Sequence, residues 1–138
     1  MGLGVTIAII GLITPSKIHG DESTAVKPQL NQLDVLTATP TPEEIKEAIV
    51  FVAVKYGLNE NELLTTLKCE SSLVYNARGD WNGEKYLAVG VAQFHFPTWA
   101  DNCSGDYYST KDQLICTAEM WQRNMQHHWS CYNNIFGG

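Results

Sequence analysis

Glu70 lies in the stretch LTTLKCESSL, Leu64 to Leu73, where an amphipathic helix would continue its apolar stripe. Leu63, Leu64 and Leu67 set that stripe, and the next positions on the same face are Glu70 and Ser71. The spacing therefore puts a carboxyl group at the core edge of a helix, close to its C-terminus. Burial disfavours the ionised form, so such a Glu keeps its proton to higher pH than a solvated one. An acid still protonated near neutrality can protonate a leaving oxygen, which cleavage of a glycosidic bond requires. A wet helix end held by Ser71, Ser72 or a later N–H accounts for the same residue without chemistry. Helix position alone does not separate the two.

Other reactive groups are nearby in sequence. Asp80 and Glu84 follow in the next loop. A hydrolase that activates water needs a second carboxylate ~5–9.5 Å from the acid, and either could supply it; each also reads as an ordinary exposed charge. Trp81, Tyr86, Trp99 and Trp129 offer faces for sugar rings, or simply pack. Cys69 or Cys131 with His127 or His128 would make a cysteine hydrolase. The adjacent histidines point to different helix faces and sit in no nucleophile motif, and blocked thiols would remove this reading.

The chain has 138 residues and a net charge of −6, which suits one domain and argues against an electrostatic nucleic-acid partner. Apolar residues make up 44%, enough for a core. Four cysteines, Cys69, Cys103, Cys116 and Cys131, are widely spaced with no CxxC pair. That pattern reads as two disulfides and an oxidising compartment rather than a zinc site. No metal or cofactor is expected. Cys103 and Cys116 flank a short polar loop whose closure is easy, which leaves Cys69 for Cys131.

The eleven residues Leu3 to Ile13, LGVTIAIIGLI, fit the apolar core of an export signal and are too short for the ~20 needed to span a bilayer. No basic residue precedes them and no A-x-A site follows, so 1–20 is a signal peptide or the remnant of a membrane anchor. MGLGVT also matches a myristoylation pattern, whose cytosolic implication the cysteines oppose. Residues 21–40, polar and rich in Thr and Pro, read as a linker.

The elements that must position Glu70 begin at Thr41. Thr41 as N-cap, Pro42 at the first helical position and Glu44 three residues on make a capping box. Ile45, Ala48, Ile49, Val52 and Tyr56 continue at helical spacing, and Gly57 ends the helix. Asn59 and Glu62 make a second box for the Glu70 helix. NARGDWNGEKY then has the chemistry of a loop or small β-hairpin. AVGVAQF reads as a tight turn feeding a short helix, Pro97 opens another through Asp101, and Ser109 caps a long helix through Met125. HHWSCYNNIFGG reads as an irregular tail.

CESSLVYNA followed by GVAQF resembles the lysozyme-like lytic transglycosylases, whose motifs are a helix-terminal Glu-Ser, an Asn-x-Ala loop and a Gly-x-x-Gln turn. Here these are Glu70-Ser71, Asn76-Ala77 and Gly90 to Gln93. PTW at Pro97 to Trp99 and the cysteine-bearing TWADNC and HHWSC segments look like a disulfide-containing variety of that domain. The family's Ala-Tyr-Asn-Ala-Gly motif has only CYNN, Cys131 to Asn134, as its counterpart.

The resemblance implies a mostly α, α+β lysozyme-like domain over 41–133, with a loop or short hairpin beside a groove and a tail at 134–138. It implies cleavage of the β-1,4 bond between N-acetylmuramic acid and N-acetylglucosamine. Glu70 would be the single acid and base, with Ser71 on its carboxylate and Gly90, Gln93 and Tyr132 as substrate contacts. The implied partner is the peptidoglycan strand, acted on by a monomer that is secreted, periplasmic or attached to the cell envelope, touching a membrane only through an uncleaved leader. A hydrolytic lysozyme and a non-catalytic glycan-binding module remain alternatives.

Overall fold

The computed structural model describes residues 33–138. The leader reading and residues 21–32 of the linker lie outside that range. From Leu33 the chain is already part of the domain: Leu33 is buried in the core and Asp34 pairs with Lys111 at 2.6 Å. The linker expected over 21–40 therefore gives way to packed chain before Pro40, because Leu33 is buried in the apolar core and Leu36 packs against it.

Helix α1 spans Pro42–Tyr56. Its capping box forms on both sides: Thr41 Oγ1 accepts from the Glu44 N–H at 3.2 Å, and the Thr41 N–H donates to Glu44 Oε2 at 2.7 Å. Gly57 closes the helix at φ 67°, a left-handed conformation that costs glycine nothing. Helix α2 spans Glu60–Ser71, and Asn59 Oδ1 accepts from the Glu62 N–H at 3.0 Å, the forward half of the second box.

Glu70 sits in the last turn of α2, and the reversal that follows needs two non-glycine residues at positive φ, Ser72 at 54° and Leu73 at 58°. Ser71 makes that reversal possible. Its hydroxyl donates to the Leu67 carbonyl at 3.1 Å and accepts from the Leu73 N–H at 3.2 Å. Leu73 is thereby driven into the core.

The next segment is an antiparallel three-stranded sheet in the order β1 (Arg78–Trp81), β2 (Tyr86–Val89), β3 (Phe94–His95). Trp81 pairs with Tyr86 next to the hairpin turn, where Asn82 Oδ1 accepts the N–H groups of Glu84 and Lys85, each at 2.9 Å. The Gly90–Gln93 turn leads into β3 rather than directly into a helix, because Phe94 and His95 complete the sheet beside Val89 and Ala88. Helix α3 follows at Phe96–Asn102, then α4 at Thr110–Gln122, capped by Ser109 Oγ accepting from the Asp112 N–H at 3.2 Å. The long helix stops at Gln122, short of Met125.

The tail is structured: a 3₁₀ turn covers Gln126–His128 and helix α5 covers Ser130–Phe136, past the boundary expected at 133. Trp129, between them, is buried against Phe94 and Trp121, and that anchor orders what local sequence left irregular.

The core joins the inner faces of α1 (Ile45, Ile49, Val52), α2 (Leu63, Leu67) and α4 (Leu114, Met120) with the buried β2–β3 turn (Val91, Ala92). Disulfides link Cys69 to Cys131 and Cys103 to Cys116, the pairing that closure of the short loop predicts. The first ties α2 to α5 one residue from Glu70. The molecule is thus a mostly helical α+β domain with its small sheet beside α2.

Candidate active site

A groove of about 400 Å³ runs between the end of α2, the sheet and the start of α5, and Glu70 and Gln93 both line it. Glu70 is half-buried there. One carboxylate oxygen, Oε1, accepts the Cys131 N–H at 3.0 Å. Burial pushes the Glu70 carboxyl above the usual carboxylate range, the Cys131 N–H pulls it back by favouring the anion, and the Asp80 charge adds to the rise. The net direction is upward, the direction that burial at a helix's core edge predicts.

Gln93 is held by its backbone neighbours. It adopts φ 52°, and its Nε2 donates to the carbonyls of Ala77 at 3.1 Å and Gly90 at 2.8 Å. Both amide hydrogens are thereby used, which leaves Oε1 as the polar atom it can offer. Gly79 lies under that oxygen, and a Cβ there would collide with it. Gly90 is behind the groove rather than in its lining. It takes φ 83° and lies against Gln113, with no room for a side chain.

Gln113 was not legible as a site residue. From α4 it spans the turn: Oε1 accepts the Ala92 N–H at 3.1 Å, and Nε2 donates to the carbonyls of Val89 at 3.1 Å and Tyr107 at 2.8 Å. It is 1% exposed, so these bonds are the scaffold on which the Gly90–Gln93 turn rests. Its only sequence signal is a Gln on the apolar face of α4.

Gly90 is thus one of three expected contacts that lie elsewhere, and Ser71 and Tyr132 are the others. Ser71 does not meet the Glu70 carboxylate; its hydroxyl is committed to Leu67 and Leu73, because helix termination requires it there. Tyr132 is not in the groove lining. It packs edge-on against Trp121 at 5.1 Å and, tilted, against Phe136 at 5.5 Å, since α5 turns that face toward the core.

Asp80 lines the groove, whereas Glu84 is exposed at the hairpin turn and takes no part in it. Asp80 holds φ 54°, an uncommon conformation for a residue with a side chain, and its Oδ2 lies 2.6 Å from His95 Nε2. His95, Thr98 and His128 also line the groove and carried no motif. Partial desolvation at the groove rim, and secondarily the neighbouring His127, holds the His128 imidazole below its ordinary range although the residue is exposed. Trp129 donates its indole N–H to the Ala92 carbonyl at 3.0 Å, which fixes the groove floor.

All four cysteines are in disulfides, which removes the cysteine-hydrolase reading. The bridges also suit an oxidising environment. No described helix is long and apolar enough to cross a membrane. Compared with protein-family models, with curated proteins and with solved structures, the chain matches none of them.

Proposed function

We propose that this protein is a lysozyme-like lytic transglycosylase acting on peptidoglycan outside the reducing cytoplasm. The observation that carries the reading is Glu70, a half-buried carboxyl with a raised pKa, facing a groove beside the Gly90–Gln93 turn. In this reading Glu70 gives its proton to the glycosidic oxygen as the bond from that oxygen to C1 of N-acetylmuramic acid breaks. The resulting carboxylate takes the proton of the same sugar's 6-hydroxyl while that oxygen bonds to C1. Glu70 ends protonated and the product is a 1,6-anhydro sugar. Gln93 Oε1 would accept a hydrogen bond from the substrate, and the Cys131 N–H would steady the carboxylate between the two proton transfers.

A second reading is favoured by Asp80. A second carboxylate lining the same groove suits hydrolysis, with Asp80 facing the sugar as nucleophile or base. Its short contact with His95 supports the first reading, because it engages Asp80 within the protein.

Digestion of purified peptidoglycan followed by mass spectrometry tests both. Anhydro ends support the transglycosylase and reducing ends the lysozyme. Glu70→Gln should fold and lose ~10²–10⁴ of the rate. A well-folded Glu70→Gln protein that cuts at the parent rate would remove the enzymatic assignment.

A further inference from the structure

We infer that a second cleft, bordering the Glu70 groove and lined by Trp81, Tyr86, Phe96 and Tyr108 with Arg78 and Lys85, binds a further stretch of the amino-sugar strand and the acidic groups it carries. This rests on the proposed function and extends it from the bond cut to the strand held.

The cleft encloses about 720 Å³, more than the groove itself. Its four aromatic side chains are 58%, 47%, 60% and 65% exposed, and no other Trp, Tyr or Phe among the described residues is comparably bare. Single exposed apolar groups are ordinary, but gathering every exposed aromatic into one cleft marks a surface that is covered in use. The rings are also placed. Trp81 and Tyr86 are cross-strand partners with centroids 4.9 Å apart, and Phe96 is held edge-on by Tyr107 at 5.4 Å. Such fixed faces suit the C–H faces of pyranose rings.

The charge of the cleft selects among glycans. The chain is acidic overall, at −6, yet the cleft is lined by Arg78, Lys85 and His95 and by no carboxylate. Among the described residues neither Arg78 nor Lys85 has an ion-pair partner. Two available cations beside stacking faces complement a sugar polymer bearing carboxylates, as the peptide stems of peptidoglycan do. Continuity points to the same strand: His95 lines both the groove and the cleft, and β1 divides them, with Gly79 and Asp80 on the groove and Arg78 and Trp81 on the cleft.

The test uses the full chain carrying Glu70→Gln, so that the strand is bound and not cut. Two probes are titrated: soluble peptidoglycan strands several disaccharides long with their stems, and neutral chitohexaose. Tryptophan fluorescence gives affinity and the Trp81 indole resonance gives location. Trp81→Ala and Tyr86→Ala should each weaken both probes about tenfold, close to the stacking of one ring. Arg78→Gln with Lys85→Gln should weaken the stem-bearing strand about tenfold and leave chitohexaose within about twofold.

Parent affinity for the stem-bearing strand in all these variants would overturn the assignment. So would parent glycan affinity in Trp81→Ala together with loss of a dimer in sedimentation, or of binding to phosphatidylglycerol vesicles. The two levels separate cleanly. If the chain with Glu70 intact cuts peptidoglycan and its cleft variants cut long strands with parent kcat/KM, only the cleft assignment falls. If it neither binds nor cuts the strand, the function proposed for Glu70 falls and this falls with it.

Discussion

Replacing Cys69 and Cys131 together by serine should be the most damaging change to this fold that touches no core hydrophobe. The bridge closes 62 residues, whereas Cys103–Cys116 closes 13. The chain-entropy relation for a cross-link gives about 4 kcal/mol for the longer loop and about 3 kcal/mol for the shorter. Against a domain stability of roughly 5–15 kcal/mol, either loss is large. The longer bridge has a second consequence. It fixes Cys131, whose N–H donates to Glu70 Oε1 at 3.0 Å and favours the carboxylate. Loosening that donor leaves burial and Asp80 to act alone, so Glu70 should hold its proton to still higher pH. Urea unfolding at 25 °C should rank the parent above Cys103→Ser/Cys116→Ser, and that above Cys69→Ser/Cys131→Ser. The alkaline limb of the lysis-rate profile should move upward in the latter variant alone. A Cys69→Ser/Cys131→Ser protein with parent stability and a parent profile would refute the argument that this tie positions Glu70.

Three further outcomes follow from the groove. Because burial raises the Glu70 carboxyl, its folded state binds the proton more tightly than the unfolded chain; stability is therefore lost as pH rises from about 4.5 through the folded value, and Glu70→Gln should gain on the parent in melting temperature over that window. Gln113→Ala strands the Ala92 N–H and two carbonyls in the core, so it should cost about 2–4 kcal/mol in denaturant titration and slow lysis through the displaced turn. Asp80→Asn separates the mechanisms: most of the rate should survive if the 6-hydroxyl is the nucleophile, and a loss near that of Glu70→Gln, read on the same substrate, would establish the hydrolytic reading instead.

Much of the frame is readable from local chemistry. The Thr41–Glu44 box, the Asn59 cap, Gly57 and the period of the leucines place α1 and α2 because helix signals act between residues three or four apart. The same period puts Glu70 at a core edge, and its raised pKa follows from that position. Short-loop closure is enough to pair the cysteines. The groove itself is assembled over long separations that no local pattern encodes. Cys131 reaches Glu70 across 61 positions, and Gln113 reaches Ala92 across 21.

Side-chain direction also depends on tertiary contacts. Ser71, next to Glu70 in sequence, turns inward because the chain must reverse, and Tyr132 turns onto Trp121 because α5 is docked by Trp129 and the Cys69 bridge. Asp80 and Glu84 look alike as two loop carboxylates. Only the sheet, with Asp80 at positive φ against His95 and Glu84 left on the hairpin turn, decides that one of them faces the groove. Spacing along the chain specifies which residues share a helix face, while the packing of α2, β1 and α5 specifies which of them meet.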